Sequence, residues 1–363
     1  MNRVARTSAV AVLNAVVLVA ALVASATLSP GGADTTLALA LTGTAEVDGD
    51  DGTRTLAAGD HRLAAGEEIR MTSGGAVLAL AEGATLELRA ASGAGPGSRL
   101  VAGSVPVLRQ GDALLVVDGG EQVVEVGGAR LRLAGGAARL SRSIGATFAV
   151  YAGRAELWSA GRVLEGGLPP LRQVMVPDAG SVPLAPSPLR VAQPPDPWDR
   201  RFLGEAIDLD AVLERRATGF TSSLEGDVRP DVFFFQAVLP GLLHEPAFNQ
   251  ALLDGEDRPV GETLVGAGIA LVGDGADFAQ RWRQVFELRS EGASWGIIAA
   301  DQSAPRPSLL SALDQATARS PLLFRAPSPV PVFEPVLPPP PSPVRPPPVA
   351  APSPPSPLVT VPL

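Results

Sequence analysis

The apolar positions of this chain change their period part-way along it. Between residues 35 and 182 they come in short runs that alternate, or nearly alternate, with polar ones: "LALALTG", "AVLALAEGATLELRA", "ALLVVDGGEQVVEVGGARLRLAGG" and "ATFAVYAGRAELW". In "VVEVGGARLRL", Val124 and Val126 precede a Gly-Gly pair, Leu131 and Leu133 follow it, and Arg130 and Arg132 fall on the opposite face. A period of two belongs to a strand with one dry and one wet side. Gly-Gly and Asp-Gly joints between such runs are hairpin signals. Runs of this kind at spacings of roughly ten residues predict an all-β unit closed enough to protect its edges, a sandwich or roll.

From residue 198 the period lengthens. Phe202, Ala206, Leu209, Leu213, Ala217 and Phe220 step by four and three, which predicts a helix with Asp199 as its N-cap and Gly219 near its end. "FAQRWRQVFELR" repeats the pattern through Phe278, Trp282 and Phe286. "DVFFFQAVLPGLLHEPAFNQALL" predicts two short helices broken at Pro240 and Pro246. Eight of the eleven phenylalanines lie between 202 and 286. The expectation is a small helical domain of four or five helices over 198–326, reached through a Pro-rich linker at 183–197.

The two ends follow neither period. Residues 1–7 carry Arg3 and Arg6, and the next charge is Asp34. The apolar stretch 8–28 would be about 31 Å long as a helix, enough to cross a bilayer. It reads as a retained membrane anchor or as a signal peptide cut after "ASA" at 24–26. On either reading the arginines keep residues 1–7 in the cytoplasm and send the bulk of the chain outside. From 327 to 363 the chain has 17 prolines in 37 residues. That composition predicts a disordered, PPII-prone tail, either a spacer in the cell envelope or a docking segment for an aromatic-lined partner.

Three blocks of the β region resemble the FecR domain in order and spacing over about residues 43–182. "GEEIRMTSGGAVLALAEGATLELRA" is similar to that domain's opening strand and hairpin, and "LRQGDALLVVDGGEQVVEV" to its Leu-x-x-Gly-(Asp/Glu)-Ala strand. "GATFAVYAGRAELWSAGRVLEGGLPPLRQVMVP" is similar to its closing Gly-Thr-x-Phe-x-Val block, with one residue inserted into the Gly-Thr pair and Arg172-Gln173 where the family has Gly-Gln. With the helical period after it, the chain reads as α+β multidomain, and the resemblance implies that its FecR-like β domain lies outside the cytoplasmic membrane and takes part in signalling. In that family a cytoplasmic segment grips a sigma factor. Seven residues ahead of the apolar stretch are too few to fold into such a module, so that partner does not carry over. An unidentified envelope protein or ligand remains the expected partner. The alternative is a structural envelope protein whose tail spans or contacts the wall.

"GATFAVYAGRAELWSAG" at 145–161 holds the chain's one tyrosine and one of its four tryptophans. Phe148 and Val150 share one strand face, Ala149 and Tyr151 the other, and Trp158 follows a Gly-Arg turn. Large rings supply most of the burial in a core of small residues, at roughly 25 cal/mol per Å². Phe148, Val150, Tyr151 and Trp158 therefore read as core anchors of the β domain, the other reading being a ligand shelf built from Tyr151 and Trp158.

Composition removes most chemistry. All 29 basic residues are arginine, so neither a Schiff-base nor a P-loop lysine exists. With no cysteine there is no thiol nucleophile, thiolate metal site or disulfide. His61 and His244 are the only histidines, and a net charge of −9 speaks against nucleic acid. "GASWG" at 292–296 satisfies G-x-S-x-G, but no histidine follows Ser294 to complete a hydrolase triad. A serine hydrolase is thus a remote alternative. "GDGADF" at 273–278 reads as a loop ending in an N-cap at Asp277 rather than a phosphate turn, and "DGDDG" at 48–52 as a tight turn rather than a calcium loop. Glu205, Asp208, Asp210 and Glu214 read as the wet face of the first helix. No enzymatic activity, cofactor or metal is expected.

Overall fold

The computed structural model describes residues 36–80, 83–91, 97–177, 181, 183–224, 230–253 and 258–324. The expected anchor at 8–28 and the Pro-rich tail at 327–363 lie outside them. Among the described residues no helix is long and apolar enough to cross a membrane.

The chain is α+β, with sheet first and helices after. Alternation builds eight short strands: β1 (Leu37–Leu41), β2 (Thr44–Gly49), β3 (Gly52–Leu56), β4 (Gly59–Leu63), β5 (Glu68–Ser73), β6 (Gly75–Ala79), β7 (Ala84–Arg89) and β8 (Arg99–Val101). Three long strands follow, β9 (Val107–Val126), β10 (Ala129–Arg142) and β11 (Ala146–Ser159), then β12 (Arg162–Val163), β13 (Arg172–Val176) and β14 (Ser187–Pro188). All pairs are antiparallel. The main path runs β14-β13-β11-β10-β9-β7-β6-β1-β4, and a branch leaves β9 through β8 and β5 to β2 and β3.

β9 makes the branch because one of its edges serves two partners. Val107–Gln110 pair with β8, and Ala113–Val117 pair with β7. The hand-over sits at Gly111, whose φ of 81° suits glycine and where a Cβ would come within 2.6 Å of Ser98 Cα. Ser98 is buried there and its hydroxyl bridges the Arg89 and Asp112 carbonyls at 2.8 and 2.6 Å. Main path and branch share one core, which takes in Leu39, Val47, Ile69, Leu86, Leu100, Leu131 and Phe148.

Two expected hairpin joints are not turns. Gly127-Gly128 does close β9 onto β10, with Val126 opposite Ala129. Asp118-Gly119-Gly120 and Gly135-Gly136 instead lie inside β9 and β10, where the register slips. Gly153 of β11 sits at the same level with φ 98°, and a Cβ on it would lie 1.7 Å from the Gly135 carbonyl oxygen. A bulge adds a residue and reverses which side chains face inward. Phe148 and Val150 therefore point into the core above the bulge, and Ala155 and Leu157 below it. That reversal turns Trp158 outward. It is half-buried, paired across strands with Arg130 and Val163, and belongs to no core cluster.

The helices are α1 (Pro197–Ser223), α2 (Val232–Val238), a 3₁₀ turn (Pro240–His244), α3 (Phe248–Leu253), α4 (Val260–Val272), α5 (Phe278–Ser290), α6 (Trp295–Asp301) and α7 (Arg306–Phe324). Seven α-helices among the described residues exceed the four or five expected. α4 was not readable from period, because it is apolar nearly all round and buried along most of its length. A chain of rings fills this second core: Phe248 meets Trp282 at 5.5 Å, Trp282 meets Phe286 at 4.6 Å, and Phe286 meets Trp295 at 6.3 Å. Glycines let α4 and α6 touch α1. A Cβ on Gly261 or on Gly296 would lie 1.8 Å from the carbonyl oxygen of Ala217 or Ala206.

Candidate functional site

Among the described residues, a dense set of ionisable side chains lies where α1 begins and meets the sheet. α1 starts three residues earlier than its apolar period suggests. Asp196, not Asp199, is the N-cap, its Oδ1 accepting the Asp199 N–H at 2.9 Å, and Pro197 occupies the first helical position. Proline suits that position because its missing N–H would have no helical partner. The shift frees Asp199 to face the sheet, where it is wholly buried. Its Oδ1 accepts the Tyr151 hydroxyl at 2.6 Å and its two oxygens accept Arg139 Nη1 at 3.0 and 3.1 Å.

The set widens from there. Asp196 Oδ2 accepts Arg139 and Arg89, each at 3.2 Å. Arg89 also pairs with Asp112 at 2.7 Å, and Asp112 accepts the Ser141 hydroxyl at 2.5 Å. The Arg89 guanidinium lies 4.2 Å from the centre of the Trp198 ring. Trp198 Nε1 donates to Glu87, which also pairs with Arg201. Arg172 of β13 reaches Asp301 at the end of α6, 2.9 Å away, as a second tie. Apolar contact surrounds these bonds: Tyr151 stacks on Phe202 with centroids 5.0 Å apart, amid Leu114, Ala149, Leu189, Leu203 and Ile297.

Electrostatics act on three members of the set. Burial, reinforced by the hydrogen bond to Asp199, pushes the Tyr151 hydroxyl far above its ordinary value despite Arg139, so it remains a donor. Burial works against the Arg139 charge, but Tyr151, Asp199, Asp196 and Asp112 outweigh it and raise its pKa. Burial likewise opposes the Asp196 carboxylate. The Asp199 amide, Arg89 and Arg139 prevail and hold it below the usual carboxylate range. Arg89, Arg139 and Tyr151 of the sheet and Trp198 and Arg201 of α1 each donate to an acceptor on the other unit, which makes the arrangement a polar joint.

The residues singled out from sequence are dispersed. Phe148 and Val150 sit in the sheet core, Tyr151 in the joint, and Trp158 at the half-buried outer face. Tyr151 and Trp158 do not form one shelf. Ser294 is the N-cap of α6, where its side chain accepts the Ile297 N–H, and Asp210 of α1 accepts the neighbouring Gly296 N–H at 3.2 Å. Both glycines of "GASWG" have local causes, Gly292 a φ of 91° and Gly296 the contact with α1. His61 bonds the Ala57 carbonyl at 2.8 Å, and His244 ends the 3₁₀ turn. Asp277 caps α5 through the Gln280 N–H, and Gly49 pairs with Gly52 to close the β2–β3 hairpin. Of the four acidic residues expected on the wet face of α1, Glu205 and Asp208 are exposed, whereas Asp210 and Glu214 have partners, Glu214 pairing with Arg289. Among the described residues no group of three His, Asp or Glu is arranged to hold a metal ion.

The joint itself was not found from sequence, although two signals bore on it. Asp196-Pro197 is an N-cap followed by a first-turn proline, and "FAVYA" is apolar on both strand faces.

No protein-family model and no curated protein matches the chain. Among solved structures, two crystal structures of a "putative anti-sigma factor" from Parabacteroides distasonis, at 1.65 and 2.50 Å resolution, match at 16% and 17% identity. Each covers 34% of this chain and 59% of that chain, with a TM-score of 0.28. At that TM-score the likeness supports no argument about function.

Proposed function

We propose that the protein is a non-enzymatic module of the bacterial cell envelope, in which a FecR-like β sandwich or roll and a helical domain act together in signal sensing or protein interaction. One observation carries the reading: among the described residues, a dense polar cluster joins two folded units. Arg89, Arg139 and Tyr151 of the sheet bond to Asp196 and Asp199 at the start of α1 across the boundary, and Ser294 is engaged in capping a helix. A body whose buried charges hold it together acts through its surface. The envelope location is supported by Arg3 and Arg6 ahead of the apolar stretch 8–28, which anchors the chain or exports it. The test is a pair of reporters fused after Leu363, one working only in the cytoplasm and one only outside it. The outside reporter is expected to be active. Activity from the cytoplasmic reporter alone overturns the envelope reading.

A further inference from the structure

Among the described residues, Phe233 (77% exposed), Leu243 (63%) and Leu253 (58%) are large apolar side chains left open to solvent within one stretch of 22 residues, 232–253. Glu245 is the only acidic or basic residue of that stretch besides His244. Phe233 and Ala237 stand one turn apart on α2, and both are exposed. Pro240 and Leu243, also exposed, continue the spacing along the 3₁₀ turn. The result is a row along the chain of ring, methyl, proline and leucine, all exposed and with no charge among them. Extended Pro-rich segments dock on exposed aromatic and apolar side chains, since PPII is already ordered and loses little entropy on binding.

The chain supplies such a segment within reach of α2. Arg319 of α7 donates to the Val238 carbonyl at the end of α2, 3.3 Å away. Phe324 ends α7 five residues later, about 7.5 Å further on at 1.5 Å per residue. Beyond it come 39 residues, and their first apolar block is "PVPVFEPVL" at 329–337, whose one charge is Glu334. The intervening 325–328 span up to about 14 Å when extended. A tether that short places the block at an effective concentration in the millimolar range, so even a weak apolar contact is populated.

We propose that residues 329–337 of the same chain dock on the Phe233–Leu243 row, making the tail a built-in ligand of the helical unit. The test replaces Phe233 with a photo-crosslinking benzoylphenylalanine in the full chain, with Leu243 as a second probe position. Both side chains are exposed, and an unchanged unfolding midpoint shows that each variant folds. The expected product is a cross-link within one chain to a peptide from 329–337, lost in a full-length Phe333→Ser, Leu337→Ser variant. Mixing isotopically light and heavy protein separates links within a chain from links between chains. Cross-links between two copies identify the row as a self-association surface and overturn the proposal. So does folded protein that gives no link to the tail from either position.

Discussion

Asp199 is the residue on which the joint depends, because it is wholly buried and accepts from Tyr151 and Arg139 at once. Stripping a buried pair of one partner costs about 3–5 kcal/mol, and without Asp199 the Arg139 guanidinium keeps only Asp196. Asp199→Ala should therefore destabilise the full chain by about that amount. Tyr151→Phe should cost about 1.5–3 kcal/mol for a lost bond to a charged acceptor. In urea unfolding the double variant should lose clearly less than the sum, because Tyr151 has nothing left to bond once Asp199 is gone. Strict additivity would show that the two do not act together. Asp196 gives the joint a pH dependence. Its pKa is depressed in the fold, so its contribution is present above the unfolded value of about 4 and is lost as pH falls through the depressed value. Between pH 5 and 3 the wild type should lose more stability than Asp196→Asn, whose amide still caps α1. Equal losses would remove Asp196 from the pH response. None of this was readable from residue type alone. The apolar period of α1 begins at Phe202 and places the cap by proximity, at Asp199, whereas the helix starts where Pro197 permits.

At the scale of elements, the bulge across β9, β10 and β11 decides which rings are inside. The strands were legible as period-two runs, and the core faces of Val124, Val126, Leu131 and Leu133 follow it. The glycine pairs were ambiguous, because Gly-Gly serves a hairpin turn and a bulge equally well. Only pairing with a neighbouring strand separates the two, and pairing is not written locally. Trp158 shows the consequence: one inserted residue moves it from the inner to the outer face. Gly153 tests the argument. Gly153→Ala would combine a φ of 98° with a Cβ 1.7 Å from the Gly135 carbonyl oxygen, so it should cost well over 2 kcal/mol. Gly83→Ala has a φ of 76° but open space, and should cost about 1–2 kcal/mol. The two midpoints in urea give the comparison. Similar losses would show that the bulge can relax and does not fix the phase of β11.

For the whole molecule, both units were visible in the sequence, because the apolar period changes from two to between three and four. What joins them was not, since the bonds that cross between the units connect residues at least 48 positions apart. The Pro-rich stretch at 183–197 reads as a linker by composition, yet Ser187 and Pro188 pair with β13 and Leu189 is buried in the joint. A segment that is a strand and part of an interface does not let the units move as separate bodies. The sheet carries Leu114, Ala137, Ala149 and Tyr151 on a face that would be wet without the helices, and the helices carry Trp198, Leu203 and Ile297 on theirs. Each unit also has a core of its own. Calorimetry of the full chain should therefore show one cooperative transition, with van't Hoff and calorimetric enthalpies in agreement. Asp199→Ala breaks the joint and leaves both cores intact, so it should split that transition in two, the helical unit and the sheet melting apart. Two resolved transitions already in the wild type would mean that the joint does not couple the units, and that a signal received by one is not passed to the other through this contact.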